Sequence, residues 1–399
     1  MSTITEIQEI QGSIEGLSDF ELGNRPRTRP ITYSLNLPAD CSADNPAKGL
    51  VFYIPGFGED NKAEYINKIC RFMAETHGLA SVSVDYHAIQ ARPEQGASIA
   101  LDAESDQKLR LLCHYHGLPF SRTDIMDTLT QLGEKATEIT TLRAIISPPN
   151  DEYQNFGILQ ALDYLTVIND LIAEGVPFDW NNIILVGSSH GGYIAHLICK
   201  LAPNTINAVI DNSSYTRTAM TYLGLFPEIY FPSGKIQIEA NVKTHWQLKD
   251  RCIPHHFGLS QQLIRDVAFV PHIEEMKRKS ERLPQYFCFN STDDHISPIH
   301  EKRSQQRRLQ AIGCECELKE INPEDIDGKI FKTMNHGMDA SMKSLCEQFL
   351  PRIKPRATTL DRVRGTVLEY DCFDQVYRFE HMQDAPWLRA SIISSESAT

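Results

Sequence analysis

Residues 183–197, with the sequence IILVGSSHGGYIAHL, decide the fold of this chain. The apolar run Ile183–Val186 predicts a buried strand, and the apolar residues up to Leu197 recur at helical spacing. Between them, Gly187–Gly191 has the pattern G-x-S-x-G, in which a sharp turn from strand to helix leaves the central serine exposed above the sheet. The sequence therefore predicts that Ser189 projects from the carboxyl end of a strand, where it could act as a nucleophile.

Strand and helix signals alternate on both sides of this stretch. Apolar runs predict buried strands at Leu50–Ile54, Leu79–Asp85, Ala208–Asp211, Tyr286–Phe289 and Cys316–Ile321. Ile31–Leu37 alternates apolar and polar residues, which is typical of an edge strand. The apolar spacing of residues 65–73 predicts a helix that is capped at Asp60 or Asn61 and stopped by Gly78. Together these signals indicate an α/β fold with a doubly wound, mostly parallel sheet, whose ligands collect at the carboxyl ends of the strands.

Two segments break this alternation and are predicted to be insertions. Residues 87–150 contain polar and helical stretches where a compact unit needs only a short loop. Residues 213–282 mix aromatic and charged residues, as a cap over a pocket would, although the same aromatic residues could form a small core of their own. We therefore expect an N-terminal arm (1–30), a core (31–350) with two helical cap insertions, and a C-terminal extension (351–399) formed by a β-hairpin and a disordered, serine-rich tail.

A serine nucleophile needs a base and an acid that orients the base, usually in the chain order Ser, Asp or Glu, His. Asp293 and Asp294 lie on the loop that follows a predicted buried strand, so either carboxylate could be the acid. His336 follows the last of these strands and precedes a helix signal, which is the expected place for the base. His295 and His300 are alternatives, but both lie beside the acid loop rather than on a separate loop.

Attack on a carbonyl group also requires an oxyanion hole, which consists of two backbone N–H groups that face the developing negative charge. The residue after the nucleophile, His190, supplies one of them in this kind of turn. The second is expected from the loop Pro55–Gly58, with Phe57 as the donor. A plain tight turn is the alternative for this loop. We therefore predict an oxyanion hole formed by the backbone of Phe57 and His190.

From the strand before Pro55 to the last of these helix signals, the chain resembles the α/β-hydrolase superfamily. The position of Asp294 relative to Ile296 and Pro298 resembles the acid turn of many members, which makes Asp294 the first choice for the acid and Asp293 the second. Many members have a histidine at the position of Pro55, and here the chain departs from the pattern. The resemblance implies hydrolysis or transfer of an acyl group.

Three short strings resemble a poorly characterised bacterial branch of this superfamily, whose members occur with flagellin glycosylation genes. The strings are Asp85-Tyr86-His87, Arg92-Pro93 and Tyr153–Gly157. His87 and Arg92 follow the predicted strand that ends at Asp85, so we expect both near the mouth of the site. They could bind a carboxylate or a sugar acid, and a structural salt bridge is the alternative for Arg92.

The composition excludes some classes of partner and cofactor. A formal net charge of -13 disfavours nucleic acid, because binding phosphates needs clustered basic residues, and the basic run Lys302–Arg308 is predicted to be a solvated helix face. The apolar runs are too short to cross a bilayer and the first residues do not resemble a secretory signal, so we expect a cytoplasmic protein without a membrane partner.

The ten cysteines lack a C-x-x-C pair and are expected to be free thiols. Cys113, His114 and His116 lack a matching second pair of ligands, so no metal or other cofactor is expected.

These signals predict cleavage of an ester or amide through an acyl-enzyme at Ser189, by an esterase or O-deacylase that acts on a small acylated metabolite or sugar. Peptidase and acyltransferase activities use the same three residues and are alternatives. A catalytically silent scaffold that serves as an interaction subunit is a further alternative. The sequence is compatible with an oligomer.

Overall fold

The computed structural model of the protein describes residues 7–249 and 255–394, in which strands and helices alternate. The strands are β1 Gln8–Ile14, β2 Ile31–Leu37, β3 Leu50–Ile54, β4 Ala80–Asp85, β5 Ser98–Leu101, β6 Thr140–Ser147, β7 Ile183–Ser188, β8 Ala208–Asn212, β9 Glu228–Ser233, β10 Ile236–Val242, β11 Gln285–Ser291, β12 Cys316–Ile321, β13 Val367–Cys372, β14 Gln375–His381 and β15 Leu388–Ser394. The α-helices are α1 Glu64–His77, α2 Ala103–Tyr115, α3 Ile125–Lys135, α4 Ile158–Ala173, α5 His190–Leu201, α6 Leu259–Arg265, α7 Val270–Lys279, α8 Ile299–Ala311, α9 Met342–Phe349 and α10 Asp361–Arg364. Within the described ranges, no helix combines the length and the apolar character that crossing a bilayer requires.

Among the described residues, eight strands form a central sheet in the order β1-β2-β4-β3-β7-β8-β11-β12. The six strands from β4 to β12 in this order pair in parallel, whereas β2 pairs antiparallel with both β1 and β4. β3 and β8 are buried along their whole length, which is typical of a parallel sheet covered by helices on both faces. The predicted doubly wound, mostly parallel sheet is confirmed.

The edge of the sheet differs from the prediction. The alternation in Ile31–Leu37 predicts an edge strand, and this is wrong because β1 lies outside β2, in a register that runs from Gln8 opposite Leu37 to Ile14 opposite Ile31. The sequence of β1, QEIQGSI, is mostly polar and mostly exposed, so hydrophobic periodicity does not identify it as a strand. Part of the expected N-terminal arm is therefore a strand of the central sheet.

An apolar core packs α1 and α9 against the central sheet. Its buried side chains include Val51, Ile66, Met73, Val186, Phe289, Leu345 and Phe349. Helix α1 ends at Gly78 in the left-handed conformation (φ 68°), as predicted. The predicted caps at Asp60 and Asn61 are wrong, because the helix begins after Ala63 without a side-chain cap and Asp60 accepts a hydrogen bond from the backbone of Lys62 instead.

The chain divides into two compact units. The first comprises the residues up to Tyr86, Gly157–Thr218 and the residues from Phe257 onward, and it contains the central sheet. The second comprises His87–Phe156 and Ala219–His256. The expected second insertion, 213–282, is therefore too long, because α6 and α7 belong to the first unit, in which both pack against β13. The role of the second unit as a cap stays a prediction.

The second unit has its own sheet and its own core. Its sheet has the order β5-β6-β10-β9, with β6 and β10 parallel and the outer pairs antiparallel. Helices α2 and α3 contribute to an apolar core that includes Leu109, Leu129, Leu142, Ile146 and Ile238. The second unit therefore contains strands in addition to the expected helices. β5 has only four residues, whereas IQIEANV of β10 alternates apolar and polar residues, which is a strand signal within the segment that we assign to an insertion.

The C-terminal extension forms a third sheet. β13 and β14 form the predicted hairpin, and β15 pairs antiparallel with β14 as an additional strand. Residues 395–399, the end of the tail that we predicted to be disordered, lie outside the described residues.

A fully buried ion pair joins the N-terminal segment to the helices near the C-terminal sheet. The guanidinium of Arg265 donates to both carboxylate oxygens of Glu21, over 2.8 and 2.6 Å, and neither side chain is exposed. The hydroxyl of Tyr377 in β14 donates a third hydrogen bond to Glu21, over 2.9 Å. Removing one partner of such a pair leaves a buried charge without compensation, which is costly.

We predict that Glu21→Ala lowers the free energy of unfolding by about 3 kcal/mol, because it leaves the buried guanidinium of Arg265 without its carboxylate. The control is Glu320→Ala, which breaks a largely exposed pair with Arg303 and should cost less than about 1 kcal/mol. Equilibrium urea unfolding of the three proteins measures both changes. Similar small losses in the two variants would contradict the prediction.

Candidate active site

Ser189 lies in a strained turn between β7 and α5. Its backbone angles are φ 53° and ψ −117°, a region that residues with a Cβ rarely adopt. A Cβ atom on Gly191 would lie 2.0 Å from the carbonyl oxygen of Ile54, and one on Gly187 would lie 2.5 Å from the backbone of Gly191. The turn therefore requires glycine at both positions of the motif. The predicted strand, turn and helix are present.

The structure brings Ser189 together with His336 and Asp294. Ser189 Oγ lies 2.7 Å from His336 Nε2, and His336 Nδ1 lies 2.8 Å from Asp294 Oδ2. The other carboxylate oxygen of Asp294 accepts the backbone N–H groups of Ile296 and Ser297, over 2.9 and 2.8 Å. The carboxylate is fully buried and is fixed in its orientation toward the imidazole. This chain of hydrogen bonds has the geometry that activates a serine hydroxyl.

The alternatives for the acid and the base lie elsewhere. The side chain of Asp293 is 70% exposed and lies 3.8 Å from His295 Nε2, whose side chain is 91% exposed. His300 is exposed on α8. The structure therefore favours Asp294 over Asp293 as the partner of His336.

The two residues predicted to form the oxyanion hole flank Ser189. His190 is the first residue of α5, and a Cβ atom on Gly56 would lie 3.7 Å from the Cβ atom of Ser189, so the loop after β3 is close to the nucleophile. The ring of Phe57 packs edge-on against the ring of His190 at 5.8 Å. Burial lowers the pKa of His190 to about 3, so its ring is neutral, and its Nε2 lies 2.8 Å from Gln160 Oε1. The role of the two backbone N–H groups stays a prediction.

Tyr215 also lies at the site, and no motif in the sequence assigns it a role. Its hydroxyl lies 3.2 Å from Ser189 Oγ, and its ring lies nearly parallel to the ring of His336, with 5.9 Å between the centroids. Within the second expected insertion, Tyr215 is one of several aromatic residues that could line a pocket or form a small core. The signal that could place Tyr215 at the site is its position three residues after Asn212, where β8 ends. The carboxyl ends of parallel strands meet at one edge of the sheet, and Ser189 follows β7 at that same edge.

His87 and Arg92, predicted to lie near the mouth of the site, have partners within the second unit. His87 Nδ1 lies 3.5 Å from Glu152 Oε1, and its ring contacts the ring of Tyr153. The guanidinium of Arg92 donates two hydrogen bonds to Glu228, one of them over 2.9 Å. Arg92 therefore forms a salt bridge with Glu228, which is the contact that the alternative of a structural role requires. Substrate binding by these residues stays a prediction.

The sequence matches a protein family over residues 11–389, and the family is described as protein of unknown function, DUF2920. The chain belongs to the DUF2920 family. No curated protein matches the sequence.

The structure of this DUF2920 chain is similar to that of Pyrococcus horikoshii acylaminoacyl peptidase, with 11% sequence identity and a TM-score of 0.50. The similarity covers 89% of this chain and 43% of the peptidase, so the chain spans less than half of that protein. Thermogutta terrifontis esterase 2 is 13% identical, with a TM-score of 0.42 over 87% of this chain and 97% of the esterase. The fold of the DUF2920 chain is the α/β-hydrolase fold, as the sequence around Ser189 predicts.

The end of β8 and the loop after it link the loops that carry His336 and Asp294 in this DUF2920 chain. Asn212 donates a side-chain hydrogen bond to the carbonyl of Gly337 over 3.0 Å, and the N–H of Gly337 donates to Ser213 Oγ over 3.2 Å. The hydroxyl of Ser297 donates to the carbonyl of Ser214 over 2.6 Å. These contacts hold the acid loop and the base loop to one shared segment.

This segment is fixed in turn by a buried ion pair. Lys302 Nζ lies 2.9 Å from Asp211 Oδ2 and 2.6 Å from Ser214 Oγ, and neither charged side chain is exposed. His196 Nε2 lies 3.0 Å from the same oxygen of Asp211. Burial alone would raise the pKa of Asp211, but the charge of Lys302 and the bond from His196 outweigh it, and the pKa lies well below its usual value. The predicted solvated helix face is therefore wrong for Lys302, which points into the core of the first unit.

His196, Asp211 and Cys288 place potential metal-ligand atoms within 4.8 Å of one another, among the described residues. The ammonium group of Lys302 already lies at the carboxylate of this cluster. A divalent cation would meet a buried positive charge there, so the cluster does not fit a metal site.

We predict that Lys302→Met lowers the free energy of unfolding at neutral pH by about 3 kcal/mol, because the buried carboxylate of Asp211 loses its ammonium partner. In the wild type the folded-state pKa of Asp211 lies below the unfolded value of about 3.9, so the contribution of this carboxylate is fully present above about pH 5 and is lost as the pH falls further. In the variant, burial raises the pKa, so acid neutralises the unpaired carboxylate and the difference between the two proteins shrinks.

Urea unfolding at about pH 5 and pH 7 measures the free energy of unfolding and its dependence on pH. The proteins compared are the wild type, Lys302→Met, and the double variant that combines Asp211→Asn with Lys302→Met. The double variant should regain part of the loss at neutral pH. A loss below about 1 kcal/mol that does not change with pH would contradict the prediction.

Proposed function

We propose that this protein is a serine hydrolase that cleaves an acyl ester through an acyl-enzyme at Ser189. The observation that carries the proposal is the continuous hydrogen-bond chain from Ser189 Oγ through His336 to the buried carboxylate of Asp294, with distances of 2.7 and 2.8 Å. The strained backbone of Ser189 at the start of α5 supports it, because such strain is retained where function requires it.

The proposed reaction has two halves. As Ser189 Oγ bonds to the substrate carbonyl carbon, His336 Nε2 takes the hydroxyl proton, and the N–H groups of Phe57 and His190 stabilise the negative carbonyl oxygen. Collapse of this intermediate breaks the bond to the leaving group, which takes the proton from His336. Water then adds to the acyl-enzyme, gives a proton to His336, and the acid is released as Ser189 Oγ regains a proton. Asp294 holds the imidazole and stabilises its charged form throughout.

The proposed substrate is a small acylated metabolite or an O-acylated sugar. The resemblance of three short strings to a bacterial branch that occurs with flagellin glycosylation genes supports the sugar. Peptidase and acyltransferase activities need the same three residues, so identification of the products decides between them.

We predict that the wild type hydrolyses p-nitrophenyl esters between acetate and octanoate and that Ser189→Ala lowers kcat by about a thousandfold or more, because the nucleophile is lost. The control is Ser188→Ala, since the Ser188 hydroxyl lies 3.3 Å from the side-chain nitrogen of Asn212 and has no role in the reaction. Release of p-nitrophenolate measures the rates. Equal rates of hydrolysis in wild type and Ser189→Ala would contradict the role of Ser189, and an inactive wild type with an intact fold would contradict the proposal and favour the silent scaffold.

A second comparison tests the acid. Asp294→Asn should lower kcat by about a thousandfold or more, because the amide cannot stabilise the charged imidazole and favours the wrong tautomer. Asp293→Asn changes an exposed carboxylate without contact to His336 and should keep kcat within about twofold. Steady-state ester hydrolysis by both variants distinguishes the two aspartates. A larger loss for Asp293→Asn would assign the role to Asp293 instead.

A further inference from the structure

Tyr215 touches the reacting oxygen, and the proposed reaction does not yet use it. Its hydroxyl lies 3.2 Å from Ser189 Oγ, and its side chain is almost fully buried, with 5% exposure. Its ring stacks on the ring of His336 at an angle of 11° and also contacts the ring of Tyr193. The phenol group is therefore held in place by packing, with its oxygen directed at the nucleophile.

Two acceptors, the carboxylate of Asp294 and Nε2 of His336, determine which hydroxyl donates in the hydrogen bond between Ser189 and Tyr215. A carboxylate only accepts, so the bond between His336 Nδ1 and Asp294 places the ring proton on Nδ1. The Nε2 atom of the neutral ring is then an acceptor, and Ser189 gives its single O–H to that atom. The hydrogen bond between Tyr215 and Ser189 therefore has the phenol as donor and Ser189 Oγ as acceptor.

We infer that Tyr215 is a catalytic residue whose hydroxyl donates a hydrogen bond to Ser189 Oγ and assists the departure of this oxygen from the acyl-enzyme. The inference rests on the proposed function of Ser189. It adds a residue to the reaction that the motif around Ser189 does not contain.

The two halves of the reaction make different demands on this hydrogen bond. During acylation Ser189 Oγ gives a lone pair to carbon while it loses its proton to His336, so the two changes oppose each other and the hydrogen bond already present in the free enzyme changes little in strength. During deacylation the C–O bond breaks, its electron pair passes to Oγ, and His336 returns the proton to that oxygen. Negative charge develops on Oγ in this step, which strengthens the bond from Tyr215. Only an interaction that is stronger in the transition state than in the preceding state accelerates a step, so Tyr215 accelerates deacylation selectively.

The test measures the two steps separately in the full-length wild type and in Tyr215→Phe. Each protein is mixed with p-nitrophenyl acetate at equal concentration, the release of p-nitrophenolate reports acylation, and mass spectrometry of acid-quenched samples follows the loss of acetyl-Ser189. We expect Tyr215→Phe to slow deacylation about tenfold, since one charge-assisted hydrogen bond is lost, and to change acylation by less than about threefold.

Tyr193→Phe is the matched control, because its hydroxyl donates to the carbonyl of Arg265 over 2.7 Å and its ring also contacts Tyr215. It removes a neighbouring buried phenol oxygen that does not touch Ser189 and should leave the ratio of the two rates unchanged. Phenylalanine at position 215 keeps the ring that packs on His336, and circular dichroism compares the folds of the variants.

The outcomes separate this inference from the proposed function. Deacylation at the wild-type rate in Tyr215→Phe, or an equal decrease in both steps, would overturn the role of Tyr215 and leave the serine hydrolase proposal in place. A folded wild type that is never acetylated would overturn the proposed function, and the role of Tyr215 with it.

Discussion

Close packing of α5 against β3 is the constraint on which the arrangement around Ser189 depends. A Cβ atom on Gly191 would lie 2.0 Å from the carbonyl oxygen of Ile54, so the helix reaches this position only with glycine there. The chain has no space for a gradual turn between β7 and α5, and Ser189 adopts its strained conformation as a result. The same packing brings the loop after β3, with Gly56 and Phe57, beside Ser189. One contact between two elements thus sets the direction of the hydroxyl and the surroundings of the proposed oxyanion.

A second constraint acts through the segment 211–215, which consists of the last two residues of β8 and the start of the loop after it. Asp211 is held in the core by Lys302, and the residues after it contact the loop of His336 and the loop of Asp294. Because buried charges are stable only when paired, the ion pair permits few positions for this segment. Tyr215, at its end, is thereby placed on Ser189 and His336. The groups that we propose to react are carried by different strand ends, and this segment connects them.

The sequence predicts the parts of this structure that depend on local pattern. The motif around Ser189, the continuous apolar strands and the loop positions of Asp294 and His336 all follow from residues that are close together in the chain. The buried state of Lys302 does not, because its partner Asp211 is 91 residues away and its neighbours in the sequence, Glu301 and Arg303, are charged residues as on a solvated helix face. Tyr215 is difficult to assign for a similar reason, since its position just after β8 is a weak signal and its residue type does not distinguish it from an aromatic residue of a small core. β1 lacks the apolar pattern on which prediction depends, whereas β10 of the second unit alternates apolar and polar residues as a half-buried strand does.

The central claim is that Ser189 is an activated nucleophile. The most direct measurement is labelling of the folded wild type with a fluorophosphonate probe, followed by mass spectrometry of the peptides, because this reagent reacts with activated serines and requires no knowledge of the substrate. We predict one modified residue, Ser189, and a strong decrease in labelling for His336→Ala. Labelling of another serine, or no labelling of a correctly folded protein, would contradict it.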